Sequence, residues 1–546
     1  MTPESETREA FQDLSREILD WYFRSSPVEA TMAGVHDYDA ELGEWSKEAI
    51  RERIDQAGRF VARLQAIDPG LLAPDERVDR ELLLGQLEVG VRQQEEVREW
   101  QRSPMYGDLA LYGCYLLLFR EFAPLEQRLE ATLGRLRQIP RVLAEGKANL
   151  TEPVRVFVET ALDTLAAGAG FFKGLVPVFI AQAGSESLRK ELEAANARAV
   201  EALEDFRSHV ERLLPEAGPE FGVGREMFDY LLRRFHYLDY DADSLHAKGW
   251  ELFEETQRLM AETAREIDPT KTLDEVIDDL KRNHPAAEEL LDTYRRWMEA
   301  GRRWVVERGI VDIPPGEKLI VEETPVFQRP VIPYAAYLPP AAFEEDQTGR
   351  FWVTPVDPSD PPERREERLR DQCHYKIPIT AIHEAYPGHH LQLVWSNRHP
   401  SRVRRLIVST LFAEGWAFYL EELAEELGFV SGPQYRLLRL KDQLWRAARI
   451  ILDAALHARG LTVDQAVDFL VEKVHLARPN ALAEVRRYAM TPTQPMSYLI
   501  GKLEILKLVE DYRRAKGPGV ELRRMHGDLL SHGTIPPAVL RRILLG

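Results

Sequence analysis

Five of the fourteen histidines, at 374, 383, 389, 390 and 399, fall within one short stretch where even spreading would place fewer than one. At its centre residues 383–390 read HEAYPGHH. Histidine and carboxylate are the side chains a catalytic zinc ion takes: three protein ligands, with a fourth position left open for water. His383 offers a ligand. Glu384, about 100° further round a helix, offers a carboxylate able to face the bound water as general base. In H-E-x-x-H the second ligand comes one helical turn after the first, but here that place is Pro387. An unbroken helix selects His390, seven residues on and almost at the same azimuth, over His389, about 120° away. Pro387 lacks the N–H that a helix needs, and Gly388 is permissive, so a regular helix is not expected here. A Pro-Gly bulge would carry His389 to the place of the usual second ligand. Spacing alone leaves 389 against 390 open.

A third ligand is expected from a following helix. Glu414 stands 25 residues after His389, between Ala413 and Gly415 with Ala417 beyond, small residues that permit close approach. Glu421, seven residues later on the same face, could hydrogen-bond a ligand histidine and fix its orientation. Asp453 and His457, four apart, lie one helical turn from each other and can pair.

These side chains need elements to hold them. The first 300 residues read as successive amphipathic helices, among them 125–139 and 188–214, with no fixed repeat. Near residue 310 the texture changes: 310–343 is rich in Pro, Val and Ile, which suits strands and turns, and 349–357 reads as a strand. Helices return from 376, at 402–427, 433–459 and 464–477, and 477–506 reads as helix, Pro-marked break, helix. The expected organisation is an N-terminal helical half (1–305) and a C-terminal catalytic half (306–546) with a small β insert (306–360). The fold class is mainly α.

Composition narrows the function classes. The net charge of −19 argues against a nucleic-acid surface, which needs clustered Lys and Arg. Two distant cysteines, Cys114 and Cys373, make no disulfide framework. The N-terminus lacks the basic and apolar regions of a signal peptide, and no run reaches roughly 18 consecutive apolar residues. A cytoplasmic protein without membrane or nucleic-acid partners is the expectation, and oligomeric state is not legible.

Several phrases together resemble the bacterial DUF885 family, grouped with the gluzincin metallopeptidases. SPVEATMAGVHDYDAEL (26–42) resembles its N-terminal signature, and IPYAAYLPPAAF and GRFWVTP its middle segment. HEAYPGHHLQ (383–392) and AEGWAFYLEEL (413–423) resemble its metal-site motifs, and ILDAALHARGLT (451–462) and RRYAMTPTQPMSYLIGK (486–502) its C-terminal ones. In DAALH an Ala stands where the family more often shows Gly. The family pattern, H-E-x-x-P-G-H, favours His389 as second ligand, beside His383 and Glu414 on one Zn2+ ion.

The resemblance implies a zincin-like helical fold with a deep cleft between helical halves, and a peptidase acting on short peptides with Glu384 as base. In related helical gluzincins Tyr and His side chains of the C-terminal half steady the oxyanion; Tyr498 is the first choice, with Tyr488, Arg487 and His457 as alternatives. Gln494 could hold substrate backbone. Zincins commonly add substrate as a strand to a sheet edge, which makes Arg350, Phe351, Trp352 and Val353 the candidate edge. Other readings are hydrolysis of a non-peptide amide or ester, and a helical binding protein without turnover.

Overall fold

Prolines and glycines mark where the C-terminal half changes texture, and the architecture follows them. The computed structural model describes residues 2–325, 329, 332 and 334–546. The chain is mainly helical, with a small sheet of three strands among the described residues. β1 (Lys318–Glu323), β2 (Ala335–Leu338) and β3 (Thr348–Val353) form it in the order β1-β3-β2. β3 runs parallel to β1 and antiparallel to β2.

This order corrects the expectation for residues 350–353. Arg350 faces Ile320 on one side and Leu338 on the other, so both hydrogen-bonding edges of the strand are used and no substrate strand can add there. Phe351, Trp352 and Val353 are all buried, as in a central strand covered on both faces. Phe351 packs on Tyr294 at 5.6 Å between ring centroids, and Arg350 pairs with Glu322 at 3.0 Å. These are sheet and core residues.

By packing, the chain divides into two compact units, Met1–Val223 and Gly224–Gly546. The division precedes the expected boundary at 305 because two earlier helices pack on the C-terminal ones. Ala242–Ile267 crosses Pro433–Ala458 closely enough that a Cβ on Gly249 would lie 3.0 Å from the Ile451 backbone nitrogen. Leu290–Arg308 lies against Ile377–Glu384.

Within the first unit, Leu125–Asn149 packs on Tyr106–Phe119 and on Glu186–Leu213. Its Arg135 is fully buried and donates to Glu41 O (3.0 Å), Thr31 Oγ1 (2.6 Å), Pro27 O (3.3 Å) and Gly113 O, which ties the N-terminal turns to this helix. The helical stretch Arg155–Ile180 is long and apolar enough to cross a membrane by length and composition. Glu159, Asp163 and Lys173 interrupt its apolar run.

Five helices of the second unit carry the site: Ile377–Glu384, His389–Ser396, Thr410–Glu426, Pro433–Ala458 and Ser497–Lys516. The helix expected over 402–427 is split into Arg402–Leu406 and Thr410–Glu426. Ser409 is the reason: its hydroxyl accepts the Phe412 N–H at 3.4 Å and starts a new helix as N-cap. Thr410–Glu426 and Ser497–Lys516 cross at Gly415 and Gly501, where a Cβ on either residue would collide with the other helix's backbone.

Candidate metal centre

The helix carrying His383 ends at Glu384, and Ala385 leaves helical backbone at φ −108°, ψ −89°. A second helix begins at His389 after Gly388. Between them the chain folds back so tightly that a Cβ on residue 388 would collide with the carbonyl oxygens of Ile382 and His383. The Trp416 indole N–H donates to Pro387 O at 3.0 Å and holds the turn from the Glu414 helix. The expected bulge is thus a full break, and the break decides which histidine faces inward.

His383, His389 and Glu414 come together, with one potential ligand atom from each within 4.8 Å of the others. Glu414 Oε2 lies 3.7 Å from His383 Nε2 and 3.4 Å from His389 Nε2. Ligand atoms placed tetrahedrally at zinc distances are about 3.3–3.6 Å apart. Glu414 Oε2 is buried and has no hydrogen-bond partner among the described residues. A buried carboxylate oxygen without a donor is costly unless a cation meets it. The donor set, two imidazole nitrogens and one carboxylate, suits zinc.

His390 points elsewhere. It is fully buried, with Nε2 2.8 Å from Glu317 Oε2 and Nδ1 3.0 Å from the Tyr337 hydroxyl. Tyr386 also donates to Glu317 at 2.7 Å. His390 therefore anchors the new helix to the sheet and to Glu317, with Gly349 leaving room: a Cβ there would sit 2.6 Å from His390 Nδ1.

Glu421 takes the place its spacing suggested. Its Oε1 is 2.7 Å from His383 Nδ1, which leaves Nε2 of the same ring facing Glu414. Burial pulls the His383 imidazole down, but Glu414 and Glu421 outweigh it and raise it to about 10. Burial pushes Glu414 up, and His389 with His383 holds it well below the carboxylate range. Glu421 follows the same pattern: burial raises it, while His383, Arg446 and Lys376 bring it below its ordinary value. A divalent cation among the three side chains would be favoured by the same two carboxylates.

Glu384 is half-buried beside His383, and it acts electrostatically on His383, Tyr294 and Tyr337. Tyr498 sits one turn before the Gly501 crossing, and Glu414 contributes to raising its phenol, after burial. The Arg449 guanidinium lies over the Tyr498 ring at 4.6 Å and that of Arg446 at 5.7 Å. Arg487 donates to Gln494 Oε1 at 2.8 Å and to Glu484 Oε2 at 2.8 Å, and Arg449 reaches the same Glu484 oxygen at 3.1 Å.

Two other candidates have structural partners instead. Tyr488 is fully buried, its hydroxyl taken by Trp445 at 3.1 Å and Arg449 at 3.0 Å, so it holds no substrate. His457 Nε2 lies 2.9 Å from Tyr488 O, and its ring stacks on Phe228. Asp453 stands 4.0 Å from His457 and accepts instead from the backbone N–H groups of Thr493 (3.0 Å) and Met496 (3.1 Å). The pair shapes the turn before Tyr498 and is no part of the metal cluster. Sequence reasoning missed Arg446, Arg449 and Glu484; an arginine pair in an otherwise apolar stretch, RAAR at 446–449, was the available signal.

The profile of one bacterial protein family of unknown function, DUF885, matches residues 27–544. Among solved structures, a "putative lipoprotein" of unknown function from Shewanella oneidensis is similar, with 25% identity, a TM-score of 0.83, and 98% of this chain and 100% of that one covered. A second "putative lipoprotein", from Colwellia psychrerythraea, shares the fold at 20% identity and a TM-score of 0.83, over 100% of this chain and 99% of that one. No curated protein matches the chain in sequence. The expectation of a cytoplasmic location is overturned by these relatives, whose descriptions point to a membrane-anchored or secreted place. An acidic N-terminal stretch and two free cysteines, both buried, did not determine the compartment.

Proposed function

The chain belongs to the bacterial DUF885 family, and from the site it carries we propose that it is a zinc-dependent metallohydrolase, a peptidase acting on short peptides. The observation that carries this reading is Glu414 Oε2, buried without a hydrogen-bond donor and faced by Nε2 of both His383 and His389. The reading extends to a gluzincin type of fold, whose cleft restricts substrates to short or unfolded chains; that step rests on analogy of fold.

His383, His389 and Glu414 would hold the ion, with Glu421 fixing the His383 ring. Zinc at such a site supplies Lewis acidity and brings the pKa of a bound water towards about 7. Glu384, next to His383 and without a hydrogen bond to another described side chain, takes the proton of the attacking water and passes it to the leaving nitrogen. The Tyr498 hydroxyl donates to the oxygen on which charge develops, and the guanidinium of Arg449 over its ring keeps that charge favourable. Arg487 and Gln494 form the neighbouring polar wall, where a peptide carbonyl or carboxylate can bind.

The test has two stages. Protein purified without added metal should carry one zinc per chain, and His383→Ala should carry none. A peptide-library digest then compares wild type with Glu384→Gln. Cleavage by wild type alone supports the reading; metal-free wild type, or equal cleavage by both, overturns it.

A further inference from the structure

A concave site lies wholly within Met1–Val223. Its volume is about 580 Å³, inside the roughly 300–1,000 Å³ typical of small-molecule sites. Trp100, Tyr106 and Tyr112 give it aromatic walls, and Glu29, Glu99 and Asp108 bring carboxylates to the same cavity. Carboxylates with aromatic faces are the surroundings that receive an organic cation, by ion pairing and by attraction to the ring quadrupole. One wall already shows the second interaction: the Arg53 guanidinium lies 4.5 Å from the ring centroid of Trp45, which also lines the cavity. Arg53 does not neutralise the three carboxylates, since its electrostatic partners are Tyr106 and Glu145.

An independent observation points into the same space. Ser103 lines the cavity, is 4% exposed, and its hydroxyl has no hydrogen-bond partner among the described residues. Buried hydroxyls are ordinarily satisfied. We propose that this cavity binds a small organic cation, an ammonium group on an aromatic or aliphatic body, with Asp108 and Glu99 taking the charge, the Trp100 and Tyr112 rings the body, and Ser103 a hydrogen bond.

The electrostatics agree with the geometry. Burial raises the half-buried Asp108 carboxyl to about 6, while Glu29 and Glu99, which line the same site, are exposed. A cation would pair with the negative charge that a neutral occupant leaves unmatched, and an anion would be repelled. This inference is independent of the metal centre.

Calorimetric titration of the full chain tests it, with phenethylammonium as probe and 2-phenylethanol and 3-phenylpropionate as neutral and anionic shapes. The expected result is one saturable site for the ammonium, about tenfold or more tighter than the alcohol, with no binding of the carboxylate. Asp108→Asn combined with Glu99→Gln should weaken the ammonium by about tenfold or more, and His383→Ala should leave it unchanged. Equal affinity for alcohol and ammonium overturns the proposal. So do undiminished binding in the double variant, loss of binding in His383→Ala, and failure to saturate by roughly 10 mM, where affinity is negligible. If circular dichroism shows the double variant unfolded, the exposed ring decides: Tyr112→Leu should weaken binding by about threefold, and an unchanged Kd overturns the proposal.

Discussion

Two buried histidines of the same unit each stand near a carboxylate, and they are put to opposite uses. Around His383, Glu421 takes one ring nitrogen, and the other faces a Glu414 oxygen that no described donor meets. Around His457, Nε2 meets a backbone carbonyl, and both oxygens of Asp453 accept backbone N–H groups. Their acid–base behaviour diverges accordingly: the carboxylates raise His383 to about 10 despite burial, whereas burial takes His457 down to about 4. Proximity of His to Asp or Glu is therefore a poor sign of chemistry. What separates the two regions is where the carboxylates turn: Glu414 and Glu421 both face the His383 ring, whereas Asp453 serves the backbone.

The sharpest way to break the comparison is through the base. Glu384→Gln should lower kcat by about 10²–10⁴-fold while metal analysis still finds one zinc per chain; a variant that loses its metal would make Glu384 a structural residue. Tyr498→Phe should lower kcat by about 10²–10³-fold with KM little changed, and a pure KM effect would assign the hydroxyl to substrate binding. Glu421→Gln should weaken zinc affinity by about 10–100-fold in a chelator competition, because His383 loses the partner that fixes its ring. Asp453→Asn, at the contrasting site, should leave zinc affinity alone and cost roughly 1–3 kcal/mol in denaturant unfolding. Loss of zinc there would abolish the distinction between the two regions.

The smallest effect is a pH dependence. A histidine held neutral at about 4 in the fold and titrating near 6.5 when unfolded binds protons first in the unfolded chain. Its contribution is intact above about 6.5 and is lost as pH falls towards 4. Wild type should accordingly lose stability over that interval more steeply than His457→Asn, by at most roughly 1.4 kcal/mol per pH unit; parallel melting curves would show that His457 is charged in the fold.

Much of the site was legible. His383 and Glu414 of the cluster follow from residue type and spacing, and the small residues flanking Glu414 anticipated the glycine crossing at Gly415 and Gly501. The choice between His389 and His390 was not legible from spacing, because it depends on a complete helix break and on Glu317 drawing His390 away. The strand around Phe351 was visible, but not its central place, since strand order is a long-range property. Arg446 and Arg449 went unseen because charge on a helix normally signals a solvated face.

By itself the sequence determined what is local: where helices start and stop, which residues bring imidazole and carboxylate, and that Pro387-Gly388 forbids a regular turn. Those properties depend on backbone dihedrals and missing hydrogen bonds within a few residues. The tertiary structure alone decided which nitrogen meets which oxygen, that Trp445 and Arg449 take the Tyr488 hydroxyl, and that Asp453 serves the backbone. Those outcomes depend on which distant groups desolvate and satisfy one another.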